Sequence, residues 1–264
     1  MTPLHAVILG LVQGATEFLP VSSSGHLILV PWLFGWPDQG LAFDAATHLG
    51  TALALLVYFT GDLWRLAGGI LEGRPADWRL AMAVVLGSIP AGIAGLALQH
   101  VVERELRSVT VIAVSTLVWA LVLWWADRRA DRNTVRDMKD VGIGRALVVG
   151  LAQPLALIPG TSRSGVTLSA GLFCGLDRAT AARFAFLLGL PITMAAGLLE
   201  SVHLLRHGVT GIGLDALTIG VGTSFAAGLA AIWFLVTYLQ RRTLLAFVVY
   251  RIALGLVILW ISRG

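Results

Sequence analysis

Two short polar runs interrupt an otherwise apolar chain: Gln13–Leu27, QGATEFLPVSSSGHL, and Ala152–Gly165, AQPLALIPGTSRSG. Gln13 and Glu17 are four residues apart, so on a helix they share one face, a turn apart. A carboxylate beside an amide oxygen suits a hard divalent cation, Mg2+ or Ca2+, with water and phosphate oxygens completing the shell. Ser22, Ser23, Ser24, Gly25 and His26 follow at a break where a new helix would begin. Free N–H groups and the positive dipole end at such a start favour a phosphate. A serine hydroxyl two or three residues from an imidazole could be activated as a nucleophile. In the second run Arg163 stands between Ser162 and Ser164, and its fork matches phosphate oxygens. Gly160 and Gly165 would let the backbone approach a ligand closely. The competing readings are N-capping by Ser24 and a plain ion pair between Glu17 and Arg163; even that pair would bring the two runs together. Asp44 and His48, again four apart, either line the same cavity or hydrogen-bond to each other.

What must position these residues is a membrane fold. The chain has 264 residues, 57% hydrophobic and 13% charged, with a mean hydropathy of +0.83. Average soluble domains are about a quarter charged, so an all-α polytopic membrane protein of one integral domain is expected. Ionisable groups at membrane depth cost roughly 2.5–3.5 kcal/mol each even on a lenient scale, and an anionic ligand or metal between the two runs would offset that. The net charge of +4 is carried by arginine, Lys139 being the single lysine. These arginines sit in short segments between apolar stretches, which reads as control of topology and not as nucleic-acid binding. One cysteine, Cys174, excludes an intrachain disulfide and a cysteine metal cluster. The N-terminus has no basic segment and no small-residue cleavage site, so no removed signal peptide is expected.

Residues 4–19 and 24–34 are each too short for the ~20 residues a span needs. Separated by Pro20, they read as a re-entrant helical hairpin. Non-helical backbone at that depth is tolerated where it lines a cavity. Gly144–Ile158, stopped at Pro159, and Gly165–Leu176 form a second such pair. Six full spans are expected at Phe43–Phe59, Leu80–Leu98, Val109–Trp125, Ala179–Val202, Leu214–Leu239 and Leu244–Ile261. Gly10-Leu11-Val12-Gln13 matches Gly150-Leu151-Ala152-Gln153, and each Gln precedes a proline and a serine-rich turn. With three spans after each hairpin, the halves 1–126 and 144–264 make an inverted repeat. Threading puts the arginine-bearing loops at 60–79, 127–145 and 240–243 on one side, which is then cytoplasmic. The termini and the loop near His203–His207 fall outside, while the loop Glu103–Arg107 carries no charge bias.

EFLPVSSSGH with Gln13 upstream, together with PGTSRSG, closely resembles the undecaprenyl-pyrophosphate phosphatase family, also called the bacitracin-resistance family. The resemblance covers essentially the whole chain. Gln13 stands where the family motif also admits Glu, which removes one metal carboxylate. The resemblance implies a phosphatase of the C55 polyprenyl diphosphate carrier, acting on the outer side of the bacterial inner membrane and returning the carrier to peptidoglycan synthesis. Carried onto this chain it implies Glu17 as metal-linked acid/base, Ser23 as candidate nucleophile, His26 as its partner and Arg163 as phosphate clamp. Ser23, His26 and a metal-bound water all stay open as the attacking group. A polyprenyl diphosphate lipid and membrane lipids are the expected partners, and a homodimer stays open. The lipid phosphatases that use Ser-Arg-x5-His-x3-Asp are excluded, since Ser169 follows Arg163 where that histidine would stand. An inverted-repeat transporter or flippase for a lipid phosphate is the alternative.

Overall fold

The computed structural model describes residues 1–37, 39–106, 108–132, 134–207 and 213–262, less the side chains of 41, 99–105, 131 and 200–207. The side chains of 103–105 and 203–207 and the residues 107 and 208–212 fall outside this description, but the backbone read as loops at Glu103–Arg107 and His203–His207 is helical through Glu105 and His207. Helix α1 (Pro3–Phe18) starts at Thr2, whose hydroxyl accepts from the His5 N–H at 3.2 Å, with Pro3 in the first turn; both suit a helix start. It stops ahead of Pro20, because the residue before a proline is pushed out of the helical region. Leu19 is already extended, at φ −67 and ψ 143. Helix α2 (Ser23–Phe34) ends at Gly35 in the left-handed conformation, φ 62.

Helices α3 (Gly40–Leu71), α4 (Pro75–Glu105) and α5 (Val109–Arg129) complete the first half. The second half repeats the order. Helix α6 (Gly142–Ala152) tightens at Pro154 into a 3-10 turn (Gln153–Leu157). Helices α7 (Arg163–Phe173), α8 (Arg178–His207), α9 (Leu214–Leu239) and α10 (Leu245–Ile261) follow. Among the described residues there is no strand, only an isolated bridge between Val135 and Leu176. Five helices among the described residues, α3, α4, α5, α8 and α9, are long and apolar enough to cross a bilayer, and α10 is a shorter apolar helix of 17 residues. The chain is an all-helical, multi-pass membrane protein.

Several boundaries differ from the sequence reading. The segment read as a polar loop with Arg65, Arg74 and Arg79 is mostly helical: α3 runs to Leu71 and α4 begins at Pro75. Arg65 and Arg79 thus extend the two helices past the apolar stretch. The residue preceding α2 is Ser22, not Ser24. In the second pair the α7 helix starts at Arg163 rather than at Gly165.

Two close helix contacts set the frame. Helix α1 lies on α9, and α6 lies on α4. A Cβ on Gly14 would overlap the Ser224 carbonyl oxygen and stand 2.7 Å from Ala227 Cβ and 2.8 Å from the Gly228 nitrogen. One on Gly150 would run into the Gly87 backbone. Small residues let helix backbones approach this closely inside a membrane. Beneath the ends of α1 and α7 lies the main apolar cluster, with Phe18, Leu55, Phe59, Phe184 and Phe186. The Phe18 and Phe186 rings meet edge to face, 5.5 Å between centroids.

The charged segments gather at the other end. Asp127 accepts from Arg178 Nε at 2.6 Å and from the Leu244 N–H at 3.1 Å. Lys139 Nζ is 3.5 Å from Asp77, and Arg183 donates to Asp62 at 3.0 Å. Arg128 and Arg129 cover the Trp124 and Trp125 rings, 5.5 and 4.9 Å from their centroids. These contacts join the segments around 62–77, 127–139 and 244. On α3 this end, at Asp62, is about 21 Å from His48 at 1.5 Å per residue.

Candidate active site

Both tips are built the same way. Ser22 has φ 76 and ψ 99, and Ser162 has φ 73 and ψ 110. They are the only non-glycine residues with positive φ among those described. Such a conformation costs of order 1–3 kcal/mol and persists only where the surroundings enforce it. Each serine immediately precedes a helix, so the next residue, Ser23 in one tip and Arg163 in the other, sits at the first helical position. Ser22 Oγ lies 3.3 Å from Ser24 Oγ, and Ser162 Oγ lies 3.1 Å from Ser164 Oγ. Ser162 also caps its helix, accepting from the Gly165 N–H at 3.2 Å; Ser22 makes no such bond. The tips are tied to each other where Ser164 Oγ donates to the Leu19 carbonyl at 3.0 Å.

The two first-position side chains converge on one carboxylate. Ser23 Oγ donates to Glu17 Oε2 at 2.8 Å, and Arg163 Nη2 donates to Glu17 Oε1 at 2.8 Å. Gln13 Nε2 donates to Glu17 Oε2 at 3.1 Å, the one-turn contact its spacing predicts. Arg163 is held from behind by Thr193, which accepts from Nη1. The Glu17 side chain is 9% exposed and that of Arg163 25%. A small cavity, about 10 Å3, lies between Glu17, Arg163, Ser164, Thr167, Phe18 and Gly189. That is close to the minimum volume that holds one water. Ser24 is exposed and Ser23 half-buried, whereas Ser162 and Ser164 are buried, so the site opens along the first tip.

His48 comes to the site and Asp44 stays behind it. His48 Nε2 is 3.8 Å from Glu17 Oε2, and the ring is 42% exposed. Its Nδ1 donates to the Asp44 main-chain carbonyl at 2.8 Å. The Asp44 carboxylate accepts from Gln39 at 2.9 Å. Neither of the two expected arrangements is complete: His48 approaches Glu17 without Asp44, and its bond is to the Asp44 backbone.

His26 is not placed as the partner of Ser23. Its Nδ1 lies 2.7 Å from the Ser22 carbonyl and its Nε2 2.5 Å from the Tyr250 hydroxyl. A carbonyl only accepts, so Nδ1 carries the proton, and in the neutral ring Nε2 accepts from Tyr250. The spacing misled because each side chain is claimed by a different helix: Ser23, at the first helical position, reaches back to Glu17 on α1, while His26 turns to Tyr250 on α10. Gly25 and Gly165 are buried near the starts of their helices, Gly165 giving its N–H to Ser162.

The residue that sequence reasoning passed over is Arg251, fully buried in α10. It was detectable as the lone charge in Leu245–Ile261, since an ionisable residue inside a span is a functional candidate by default. Its donors reach the Pro20, Gly160, Thr161 and Thr116 carbonyls at 2.9–3.3 Å.

Comparison with known proteins follows the same lines. The family described as Bacitracin resistance protein BacA matches residues 6–257. A Trichlorobacter lovleyi protein named undecaprenyl-diphosphatase is 48% identical, over 97% of this chain and 96% of its own. One from Moorella thermoacetica with the same name is 45% identical over 100% of both chains. A Stutzerimonas stutzeri protein named undecaprenyl-diphosphatase 2 is 46% identical, again over 100% of both. With nearly the whole chain matched and both polar runs inside the match, the chain belongs to the bacitracin resistance protein BacA family.

Proposed function

We propose that this chain is an integral membrane phosphatase that hydrolyses undecaprenyl diphosphate to the monophosphate and phosphate, recycling the lipid carrier for peptidoglycan synthesis. The observation that carries the reading is Glu17 held at once by the Ser23 hydroxyl and the Arg163 guanidinium, each 2.8 Å away and each from a different tip. A carboxylate on a serine hydroxyl is a general base on a nucleophile, and a guanidinium beside them is a phosphate clamp.

In this mechanism Arg163 turns part of its fork to the terminal phosphate. Ser23 Oγ attacks the terminal phosphorus while its proton passes to Glu17 Oε2. The bond from phosphorus to the bridging oxygen breaks, and the lipid monophosphate leaves. Glu17 passes that proton to the departing monophosphate. The freed carboxylate then takes a proton from water as it attacks the phosphoserine, the phosphorus–Oγ bond breaks, and Ser23 Oγ recovers its proton from Glu17 as phosphate leaves. The positive ends of α2 and α7 add to the field at the phosphate. Ser22, Ser24, Ser162, Ser164 and the N–H groups near Gly25 and Gly165 then surround the phosphate, Ser164 and the Gly165 N–H donating to it only on release of their bonds to the Leu19 carbonyl and Ser162 Oγ. The small volume between Glu17 and Arg163 means that the headgroup enters by displacing their direct pairing.

Gln13 and Glu17 fit a divalent cation, Mg2+ or Ca2+. Gln13 Oε1 is buried with no hydrogen-bond partner among the described residues, and Glu17 supplies a carboxylate one turn on. Gln153 Oε1 is orphaned in the same way, but Leu157 stands one turn beyond it, so only the first tip pairs the amide with a carboxylate. When bound there, the ion would neutralise diphosphate charge and share its shell with phosphate oxygens and water.

The two halves are then an inverted repeat of re-entrant hairpins with three spans each, in the inner membrane. The arginine-rich end is cytoplasmic and the tips open toward the outer side. Purified protein in detergent should release phosphate from a polyprenyl diphosphate with Mg2+ or Ca2+ present; no release would overturn the reading. A transporter for a lipid phosphate would also use helix ends meeting at mid-membrane, but it has no need of a hydroxyl seated on a carboxylate.

A further inference from the structure

We infer that Tyr250 and Arg251, consecutive on α10, are positioning residues that hold the two tips in register so that Ser23 and Arg163 meet at Glu17; this rests on the phosphatase reading. Arg251 is 0% exposed. Its Nη1 donates to the Pro20 carbonyl at 3.1 Å, and its Nη2 donates to the Gly160 and Thr161 carbonyls at 2.9 and 3.0 Å. Pro20 and Gly160 occupy matching places, each two residues before a positive-φ serine. One guanidinium therefore spans both tips, with Nε anchored on the Thr116 carbonyl at 3.3 Å. Among the described residues no carboxylate pairs with it. Burying a charge without a counter-charge is costly, and an apolar side chain would serve packing alone without that cost. What the apolar side chain could not do is bond carbonyls of two separate loops at once.

Tyr250 acts on one tip only. Its hydroxyl is 2.5 Å from His26 Nε2, and His26 Nδ1 donates to the Ser22 carbonyl at 2.7 Å. That carbonyl belongs to the peptide joining Ser22 to Ser23, so its orientation sets how Ser23 leaves the turn. Successive residues of a helix point about 100° apart, which lets α10 place one side chain between the tips and the next against the flank of the first. On this account His26 is a link in the brace: it fixes the peptide behind Ser23 and takes no proton from the hydroxyl.

The test uses the full-length protein in detergent, turning over a polyprenyl diphosphate. Tyr250→Phe removes one hydroxyl at a partly exposed position and keeps the ring. Arg251→Lys keeps the charge but loses the fork. Both variants, folded and monodisperse, should lose about 10-fold and about 100-fold in kcat with KM within about threefold of wild type, the pattern of misplaced reacting groups. Tyr250→Phe combined with His26→Gln should be no slower than His26→Gln alone, because both act through one peptide. The inference is overturned if folded Tyr250→Phe keeps kcat within about twofold of wild type, or if the double variant shows the product of the two single losses. A rise in KM at unchanged kcat would overturn it too. Should Arg251→Lys not fold, Tyr250→Phe and the double variant decide. No turnover by the wild type would instead remove the phosphatase reading, so the two failures are told apart within one assay.

Discussion

The two tips have one backbone and two chemistries. Each has a serine at positive φ, a pair of serine hydroxyls about 3 Å apart and a helix starting at the next residue. At that next residue the first tip carries a hydroxyl and the second a guanidinium. A turn upstream the first has Glu17 and the second Leu157. The first tip is open, with Ser24 exposed, while Ser162 and Ser164 are buried and Ser162 caps its own helix. The contrast teaches that a repeated backbone supplies only direction. Because two equivalent positions aim at one point from opposite halves, a nucleophile and a cation are delivered to the same carboxylate without either element bending.

Exchanging chemistry between or within the tips should break this contrast, most strongly at the carboxylate. Glu17→Gln keeps the size and one acceptor but removes the base, and kcat should fall by about 10^3–10^4, within the range for a lost general base. A value within tenfold of wild type would shift the base elsewhere. Arg163→Lys retains the charge without the fork and should lower kcat by about 10^2–10^3, comparable to losing an electrostatic clamp; phosphate release at saturating lipid measures it. Gln13→Glu adds a second carboxylate on the open tip, and a titration with Mg2+ or Ca2+ should show about tenfold tighter half-saturation. An unchanged or weaker metal requirement would separate Gln13 from the cation. The smallest effect tests the backbone itself. Ser22→Gly relieves positive φ and gives up no cap, so thermal unfolding should show neutral to about 1 kcal/mol greater stability. Ser162→Gly loses the cap to Gly165, so it should gain less.

Much of the site was legible because its signals are local. Gln13 and Glu17 are one helical turn apart, and the shared face that spacing predicts is seen in the hydrogen bond between them. Arg163 in an apolar chain asked for an anion, and Glu17 and a path to the other tip answer it. The broken helices were legible from Pro20 and Pro159, and the helical, membrane-spanning class from composition. What sequence could not give was non-local or directional. The partner of His26 is 224 residues away, at Tyr250, and no spacing rule connects them. Ser23 was assigned to His26 by proximity, but the positive φ of Ser22 aims it at Glu17 instead. Helix ends were placed at the edges of apolar stretches, yet α3 and α4 continue through Arg65 and Arg79 because helical backbone needs no apolar side chain once it leaves the membrane core. Arg251 was readable by its isolation in an apolar helix, though not its span across both tips.

The bare contact of α1 on α9 at Gly14 has a mechanical consequence. Gly14 lies three residues before Glu17, and the helix at that point rests on the Ser224–Gly228 backbone with no room for a methyl group. A methyl there would act as a wedge under a rod pinned at its Thr2 end, and the rod would lift most where it carries its load. The gap between carboxylate and hydroxyl is thus gauged by a residue with no side chain and no contact with either atom.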